Sequence, residues 1–493
     1  MEPFKTIDNV YFVGTKEASS HLIVTEDGLI LIDTGYEETA DAILLSVEKL
    51  GFDIQDVKII LFSHGHRDHT GGTKKILEKA PNAKTYINFN DIKYLKNFTP
   101  DFNISDGDVI RLGKTEILCL FTPGHTEGSV SFFLDVYEDG KKYRAAMFGG
   151  SGTNQLRRGV LHRQNVPYLC RGLFVESVKR LLEIPVDVML GNHTWQSKTF
   201  QKLEKIAKGY EGNPFIDPKE WGKYLNSLLG ALKRAIEKDA KECFINYAHR
   251  GASEYYPENT MSAFEAGVRM GASGIETDVR KTKDGVLVLF HDQTLERLAG
   301  RGESICDLNY SELSEIFISK GDTSDRIPTL EEFLERFRDC DLMLAIELKC
   351  PGIEGEVASA ILRHGVEKRT FVTSFELDWL ENLKKYNKVI RASYLAPTID
   401  DDVLSRLVAM GADEVCPRAK DITPELCEKL HGIGFNVRAY GVGDEEMMKS
   451  VYRASADGMT INFPDKLADF LREEARLREE AAAAEEKAKA QAK

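Results

Sequence analysis

At 493 residues the chain has room for two to four domains, each with its own core. A net charge of -14 argues against a nucleic-acid face, which wants basic residues. No apolar run approaches the roughly 20 residues that span a bilayer, so we expect small-molecule substrates, no nucleic acid and no membrane span. Residues 1–10 lack the basic and apolar blocks of a signal peptide, and the 8 cysteines show no Cys-x-x-Cys spacing. Together these predict a cytoplasmic protein with reduced thiols and leave its oligomeric state open.

Alternating or apolar runs at 10–14, 21–25 and 29–33, separated by turns such as Glu26-Asp27-Gly28, predict a meander of strands. Asp33-Thr34-Gly35 ends the third run with turn chemistry. Residues 39–50 have helical spacing, and 57–62 read as a buried strand. That strand feeds residues 63–72, Ser-His-Gly-His-Arg-Asp-His-Thr-Gly-Gly, which place His64, His66, Asp68 and His69 within six positions. The His-x-His pair can converge on one ion, and Asp68 and His69, beyond the bend, can serve a neighbouring one. As a plain loop the stretch would only be hydrated; the strand before it and the Thr-Gly-Gly turn after it favour a metal site. A helix at 73–79 and strands at 84–88 and 115–121 follow, the last leading into Thr122-Pro123-Gly124-His125-Thr126. Strands at 129–134 and 143–148 precede Gly149-Gly150-Ser151-Gly152, and a strand at 186–190 precedes Gly191-Asn192-His193. With His125 and His193, strand ends supply six ligands; His21 and His162 are left as surface or packing histidines.

These motifs resemble the metallo-β-lactamase superfamily over residues 1–240. The resemblance implies an αββα sandwich in which His64, His66 and His125 hold a first Zn2+ and Asp68, His69 and His193 a second. Asp68 is then catalytic as well as a ligand. Imidazole and carboxylate suit zinc, whose open position would hold a water of lowered pKa. Many superfamily hydrolases carry an aspartate bridging both metals after the strand that here ends Met147-Phe148-Gly149-Gly150-Ser151. This chain has no carboxylate there and is closer to the true β-lactamase subclass with an all-histidine first site, where serine occupies the region. Residues 213–221, Asn-Pro-Phe-Ile-Asp-Pro-Lys-Glu-Trp, also resemble the terminal helix entry of that group.

Residues 221–239 are helical and amphipathic, with Leu225, Leu228, Leu229 and Leu232 on one side. The domain boundary is expected near 240, giving domains 1–240 and 241–470 and a tail 471–493. Strand candidates then recur at 244–248, 274–279, 286–290, 342–348, 370–375, 391–395, 414–417, 436–441 and 458–463, with helical segments between them. Such alternation predicts a parallel (β/α)8 TIM barrel, so the whole chain reads as two-domain α/β. Barrel chemistry sits at the carboxyl ends of strands, which here read His249-Arg250-Gly251, Glu276-Thr277-Asp278, His291-Asp292 and Glu347-Leu348-Lys349. Glu276 and Asp278, two apart, both face inward, and Glu347 adds a third carboxylate. Such oxygen ligands suit Mg2+ or Ca2+; the alternative is a salt-bridge cluster with Arg250 and Lys349.

With Pro257-Glu258-Asn259-Thr260, Lys283-Asp284-Gly285 and Ile327-Pro328-Thr329-Leu330, these strings resemble, in order, the glycerophosphodiester phosphodiesterase family. The resemblance implies that Glu276, Asp278 and Glu347 bind the divalent ion and that Arg250 and Lys349 hold phosphate oxygens. His249 and His291 become general base and acid, in an order left open. Cleaving a phosphodiester needs charge neutralisation and proton transfer on both sides, and a positioned histidine contributes typically ~10² to 10⁴-fold. Tyr440, in Val437-Arg438-Ala439-Tyr440-Gly441, stands where the family often has a tryptophan. Residues 471–493 are almost all Ala, Glu, Lys and Arg, a charged tail that is helical or disordered. The expected function is a bifunctional metal-dependent hydrolase. Its barrel would cleave glycerophosphodiesters to glycerol phosphate and an alcohol, and its first domain an ester, amide or phosphodiester. The alternatives are a first domain that is a β-lactamase unrelated to the barrel, or one half that only senses.

Overall fold

In a computed structural model, which describes residues 1–164 and 166–491, the early meander is antiparallel. Strands Phe4–Ile7, Val10–Phe12, His21–Thr25 and Gly28–Ile32 lie in sequence order, and Val57–Leu61, Lys84–Ile87 and Phe102–Asn103 extend the sheet in parallel. A second sheet is ordered Val188–Leu190, Lys141–Met147, Val130–Glu138, Thr115–Phe121, Val109–Leu112. Successive side chains on a strand face opposite ways. Ile30 and Ile32 therefore join Ile117, Phe132 and Met147 of the second sheet, whereas Leu29 and Leu31 pack with Ile43 and Val47 of helix Ala40–Lys49 and Ile76 of helix Thr73–Lys79. On the second sheet's outer face Phe148 meets Phe174 of helix Leu169–Leu182 at 5.9 Å between centroids, and Phe133 meets Trp221 at 6.1 Å. The result is an αββα sandwich whose strand ends carry the histidines.

By its internal contacts the chain forms two units, Met1–Leu156 with Cys170–Arg234, and Arg157–Leu169 with Ala235–Lys493. In the second, eight parallel strands form the barrel: Ile245–His249, Gly274–Lys281, Met343–Leu348, Thr370–Ser374, Arg391–Ala396, Glu414–Pro417, Asn436–Val442 and Gly458–Ile461. They close because the first pairs with both the second and the last. The strand expected at 286–290 is not one of the eight. Leu287–Leu289 pairs antiparallel with the end of Gly274–Lys281, returning through a turn in which Gly285 takes φ +88°. A short apolar run carries no mark of its direction, so the sequence could not separate a hairpin return from a barrel strand.

At the amino ends of the strands, Asp457 pairs with Arg158 and accepts from His431 Nε2 at 2.7 Å and Val437 N at 2.8 Å. Arg158 also donates to Asn436 Oδ1 at 2.7 Å. Higher in the barrel, Arg438 donates to Glu414 Oε1 at 2.8 Å and to Thr460 Oγ1 at 2.8 Å. The tail begins as helix Pro464–Gln491, with residues 492 and 493 outside the described ones. No described helix is long and apolar enough to cross a membrane.

Candidate functional sites

The turn Arg67–Thr70 after strand Val57–Leu61 folds the histidine stretch back on itself. Gly72 is required there, since a Cβ would lie 2.3 Å from the Thr34 carbonyl oxygen. Ligand atoms of His64, His66 and His125 fall within 4.8 Å of one another, as do those of His64, Asp68 and His69. His66 Nδ1 lies 3.1 Å from His125 Nε2. Asp68 Oδ2 lies 3.2 Å from His69 Nε2 and 3.5 Å from His193 Nε2. All six expected ligands are thus brought together. His21 stays apart, its Nε2 donating to the Gly191 carbonyl at 3.0 Å, and the side chain of His162 lies outside the described residues.

The outer nitrogens show which way the rings face. His125 Nδ1 donates to the Gly152 carbonyl at 2.7 Å and His193 Nδ1 to the Glu17 carbonyl at 2.7 Å. His69 Nδ1 donates to Asp33 Oδ2 at 2.7 Å. Ser63 Oγ gives its proton to Asp33 Oδ2 at 2.7 Å, so it accepts from His64 Nδ1 at 3.1 Å. Four imidazoles therefore turn Nε2 inward, and the buried Nε2 atoms of His64 and His69 have no hydrogen-bond partner. A buried nitrogen fixed from behind with no partner, as at His64, and one that faces only a fellow ligand candidate, as His69 faces Asp68, both suit metal binding. The residues present fit two zinc ions.

Burial, then the neighbouring imidazoles, holds His64 well below the ordinary histidine range, and burial with His66 pushes His125 down to about 3. Both are neutral, ligating forms. At His69 burial is outweighed by the Asp33 carboxylate, which lifts it to about 10, and a cation would take that proton's place.

Two supporting carboxylates escaped sequence reading. Asp33, fully buried at φ 58°, also accepts from Ser63 N at 2.8 Å; its signal was an acid ending the apolar run 29–32. Asp91 accepts from Gly65 N, Gly128 N and Thr126 Oγ1, each at 2.7 Å, and so ties the His64–His66 loop to the His125 loop. Burial raises it to about 6 against those bonds. Trp195, 63% exposed, stacks on His193 with centroids 6.1 Å apart, an aromatic wall beside the second ligand group. Ser151, where a bridging carboxylate is missing, accepts from Gln196 Nε2 at 2.7 Å.

In the barrel, a cavity of about 240 Å³ is lined by His249, Arg250, Glu276, His291, Glu347 and Lys349, with Phe375 and Tyr440 on its wall. Ligand oxygens of Glu276, Asp278 and Glu347 lie within 4.8 Å of one another, all three buried. Asp278 Oδ1 has no hydrogen bond. Burial, then the Asp278 charge, pushes Glu276 far up and Glu347 to about 7, while Arg250 and Lys349 overcome burial to hold Asp278 down. Like charges at this spacing coexist only with protons or a cation between them, so the cluster fits a divalent ion. Lys349 Nζ lies 2.8 Å from Glu347 Oε1, and Arg250 Nε 3.1 Å from Asp278 Oδ2. Arg250 takes φ 55°, held by its N–H donating to Glu276 Oε2 at 3.1 Å.

The two barrel histidines sit in different company. His249 Nδ1 donates to Asn462 Oδ1 at 2.6 Å, and burial, then Arg250, lowers it to about 4. His291 Nδ1 donates to Asp292 Oδ1 at 2.6 Å, and Arg297 Nε braces Asp292 at 2.6 Å. His291 reaches the cavity from the antiparallel return rather than from a barrel strand, which corrects the expected placement. Asn462, Asp292 and Arg297 were not singled out as site residues; Asn462 comes from the far end of the chain.

Residues 249–466 match the model of the Glycerophosphoryl diester phosphodiesterase family, and residues 13–137 that of the Metallo-beta-lactamase superfamily. A glycerophosphodiester phosphodiesterase of Bacillus altitudinis is 34% identical over 247 residues, 47% of this chain and 98% of that one. Another, of Caldanaerobacter subterraneus subsp. tengcongensis, is 32% identical over 235 residues, 46% of this chain and 97% of that one. The FEZ-1 metallo-beta-lactamase of Legionella gormanii aligns at 29% identity with a TM-score of 0.45, over 48% of this chain and 96% of that one.

Proposed function

Because the chain belongs to the glycerophosphoryl diester phosphodiesterase family and carries a metallo-beta-lactamase superfamily domain ahead of the barrel, we propose that it is a bifunctional metal-dependent hydrolase. The barrel hydrolyses glycerophosphodiesters to glycerol phosphate and an alcohol. What carries this reading is one cavity lined by two histidines, the carboxylates Glu276 and Glu347 with buried Asp278 clustered beside them, and the cations Arg250, Lys349 and Arg438. When bound at Glu276, Asp278 and Glu347, Mg2+ or Ca2+ neutralises phosphoryl charge. Lys349 and Arg250 hold the phosphoryl oxygens. His249, neutral near pH 7 with Nε2 3.8 Å from Glu276 Oε2, takes the proton of the attacking oxygen. His291, bonded to Asp292 and lowered from the ordinary histidine range by burial, returns a proton to the leaving alkoxide. Product release from glycerophosphoethanolamine with added Mg2+ or Ca2+ should fall by ~10²-fold or more in His249→Ala. Full activity in that variant would overturn the assignment.

In the first unit, His64, His66 and His125 hold one zinc and Asp68, His69 and His193 the other. Bound zinc lowers the pKa of a water and polarises the scissile carbonyl or phosphoryl group of an ester, amide or phosphodiester. Asp68, held beside His69 and His193, orients the attacking oxygen in this reading. One observation favours a cyclic amide substrate: the 149–152 loop offers Ser151, not a carboxylate. A chromogenic cephalosporin should then be hydrolysed by wild type and spared by His66→Ala; a zinc-loaded protein that leaves it intact removes the β-lactam reading. All eight cysteines are free thiols, which supports a reducing compartment, and we place the protein in the cytoplasm.

A further inference from the structure

Arg280 lies two residues beyond Asp278 on the same strand face. Its Nε donates to the His291 carbonyl at 2.9 Å and its Nη1 to the Lys349 carbonyl at 2.9 Å. One guanidinium thus braces the backbones of two residues that work on the phosphodiester. It is half-buried, yet it forms no ion pair among the described residues, and its Nη2 makes no hydrogen bond there. A guanidinium is a planar fork that favours a carboxylate or phosphate.

Arg280 lines a second cavity of about 420 Å³, which shares Lys349 with the catalytic one. No carboxylate lines it, in a chain of net charge -14. The Lys281 ammonium at its edge is engaged by Glu356 at 2.5 Å and that of Lys349 by Glu347 at 2.8 Å. Among the described lining residues Arg280 is therefore the cation in no ion pair, with Asp278 and Asp292 acting on it only from a distance and the exposed Gln293 amide as a neutral donor.

We propose that this cavity is an anion site for the phosphate group of a phosphomonoester, and that Arg280 relays its occupancy to His291 and Lys349. The relay rests on the barrel activity proposed above, whose product is such a monoester; free phosphate presents the same chemistry. A phosphate seated there accepts from Nη2 and Nη1 together, drawing Nη1 from the Lys349 carbonyl. His291 and Lys349 then lose their common brace, and the rate falls without substrate being displaced.

The test titrates inorganic phosphate and glycerol phosphate separately into the full-length protein in EDTA, reading 31P NMR line width, for wild type, Arg280→Met and Gln293→Ala. Inhibition of glycerophosphoethanolamine hydrolysis by both anions is followed in parallel with metal present. We expect a non-competitive component in wild type that weakens at least tenfold in Arg280→Met and about threefold in Gln293→Ala, the latter keeping its uninhibited rate. Tighter binding of glycerol phosphate assigns the site to product, and equal binding assigns it to the phosphate group alone. Purely competitive inhibition in wild type, or NMR binding unchanged in both variants, overturns the proposal. If no glycerophosphodiester is hydrolysed, the activity reading fails by itself, and the NMR titration still decides the site.

Discussion

Replacing Asp91 by alanine tests whether the first ligand group is held by its supports. The change strips two buried backbone donors, Gly65 N and Gly128 N, of acceptors at 2.7 Å. The Thr126 hydroxyl keeps Ser129 Oγ at 2.8 Å and costs little. Each stranded donor costs about 1–3 kcal/mol, so the pair costs about 4 kcal/mol. For a unit of this size, where 1 kcal/mol moves Tm by about 2–4 °C, the melt should drop by about 8–16 °C. The His64–His66 and His125 loops also lose their tie, so zinc affinity should fall about 10–100-fold, as when a ligand's own support is removed. Calorimetric melting with and without zinc, and zinc titration against a competing chelator, read both effects. Asp91→Asn, which keeps the volume, should fall between. A melt within about 1 °C of wild type together with unchanged zinc binding would refute the reasoning.

Arg438→Met should cost about 3–5 kcal/mol in urea unfolding, because it strands Glu414 as a buried unpaired carboxylate, and adding Glu414→Gln should recover part of it. The Asp457 carboxyl is held below the usual range: burial opposes this, but Arg158 and His431 outweigh it. With its folded pKa depressed, its contribution is fully present above the unfolded value of about 3.9 and is lost as pH falls through the folded one. Asp457→Asn should therefore be less stable at pH 6 and flatter in acid melts; an acid limb as steep as wild type's would count against the pairing. Mg2+ or Ca2+ at 100 times its Kd should stabilise the barrel by about 2.7 kcal/mol, and Glu276→Gln should abolish most of that shift in a melting scan.

Much of this was legible because the chemistry is local. Four of the six proposed zinc ligands lie within six positions, and Glu276 and Asp278 share a strand face by the period of two. Asp33 and Asp91 were not, for different reasons. Asp33 stands where a turn acid is ordinary, and its importance lies in Ser63 and His69, 30 and 36 positions away. Asp91 sits in the short turn Phe89–Tyr94, which has no periodicity to announce a buried carboxylate. Asn462 meets His249 across 213 positions, a contact created only when the last barrel strand pairs with the first. The direction of Leu287–Leu289 was hidden because pairing partner, not composition, decides parallel from antiparallel.

That hairpin return has a dynamic consequence. Every barrel strand is clasped on two sides, but Leu287–Leu289 has one ladder and an isolated bridge from Val288 to Thr329. By its pairing alone, and despite the full burial of Val288, Leu289 and Phe290, the segment carrying His291 is expected to open more readily than the ring that carries His249 and the acidic cluster. Amide exchange at 287–290 should outpace that at 245–249 and 274–279. The proposed proton donor would thus come and go on its own clock, while the carboxylate cluster stays put.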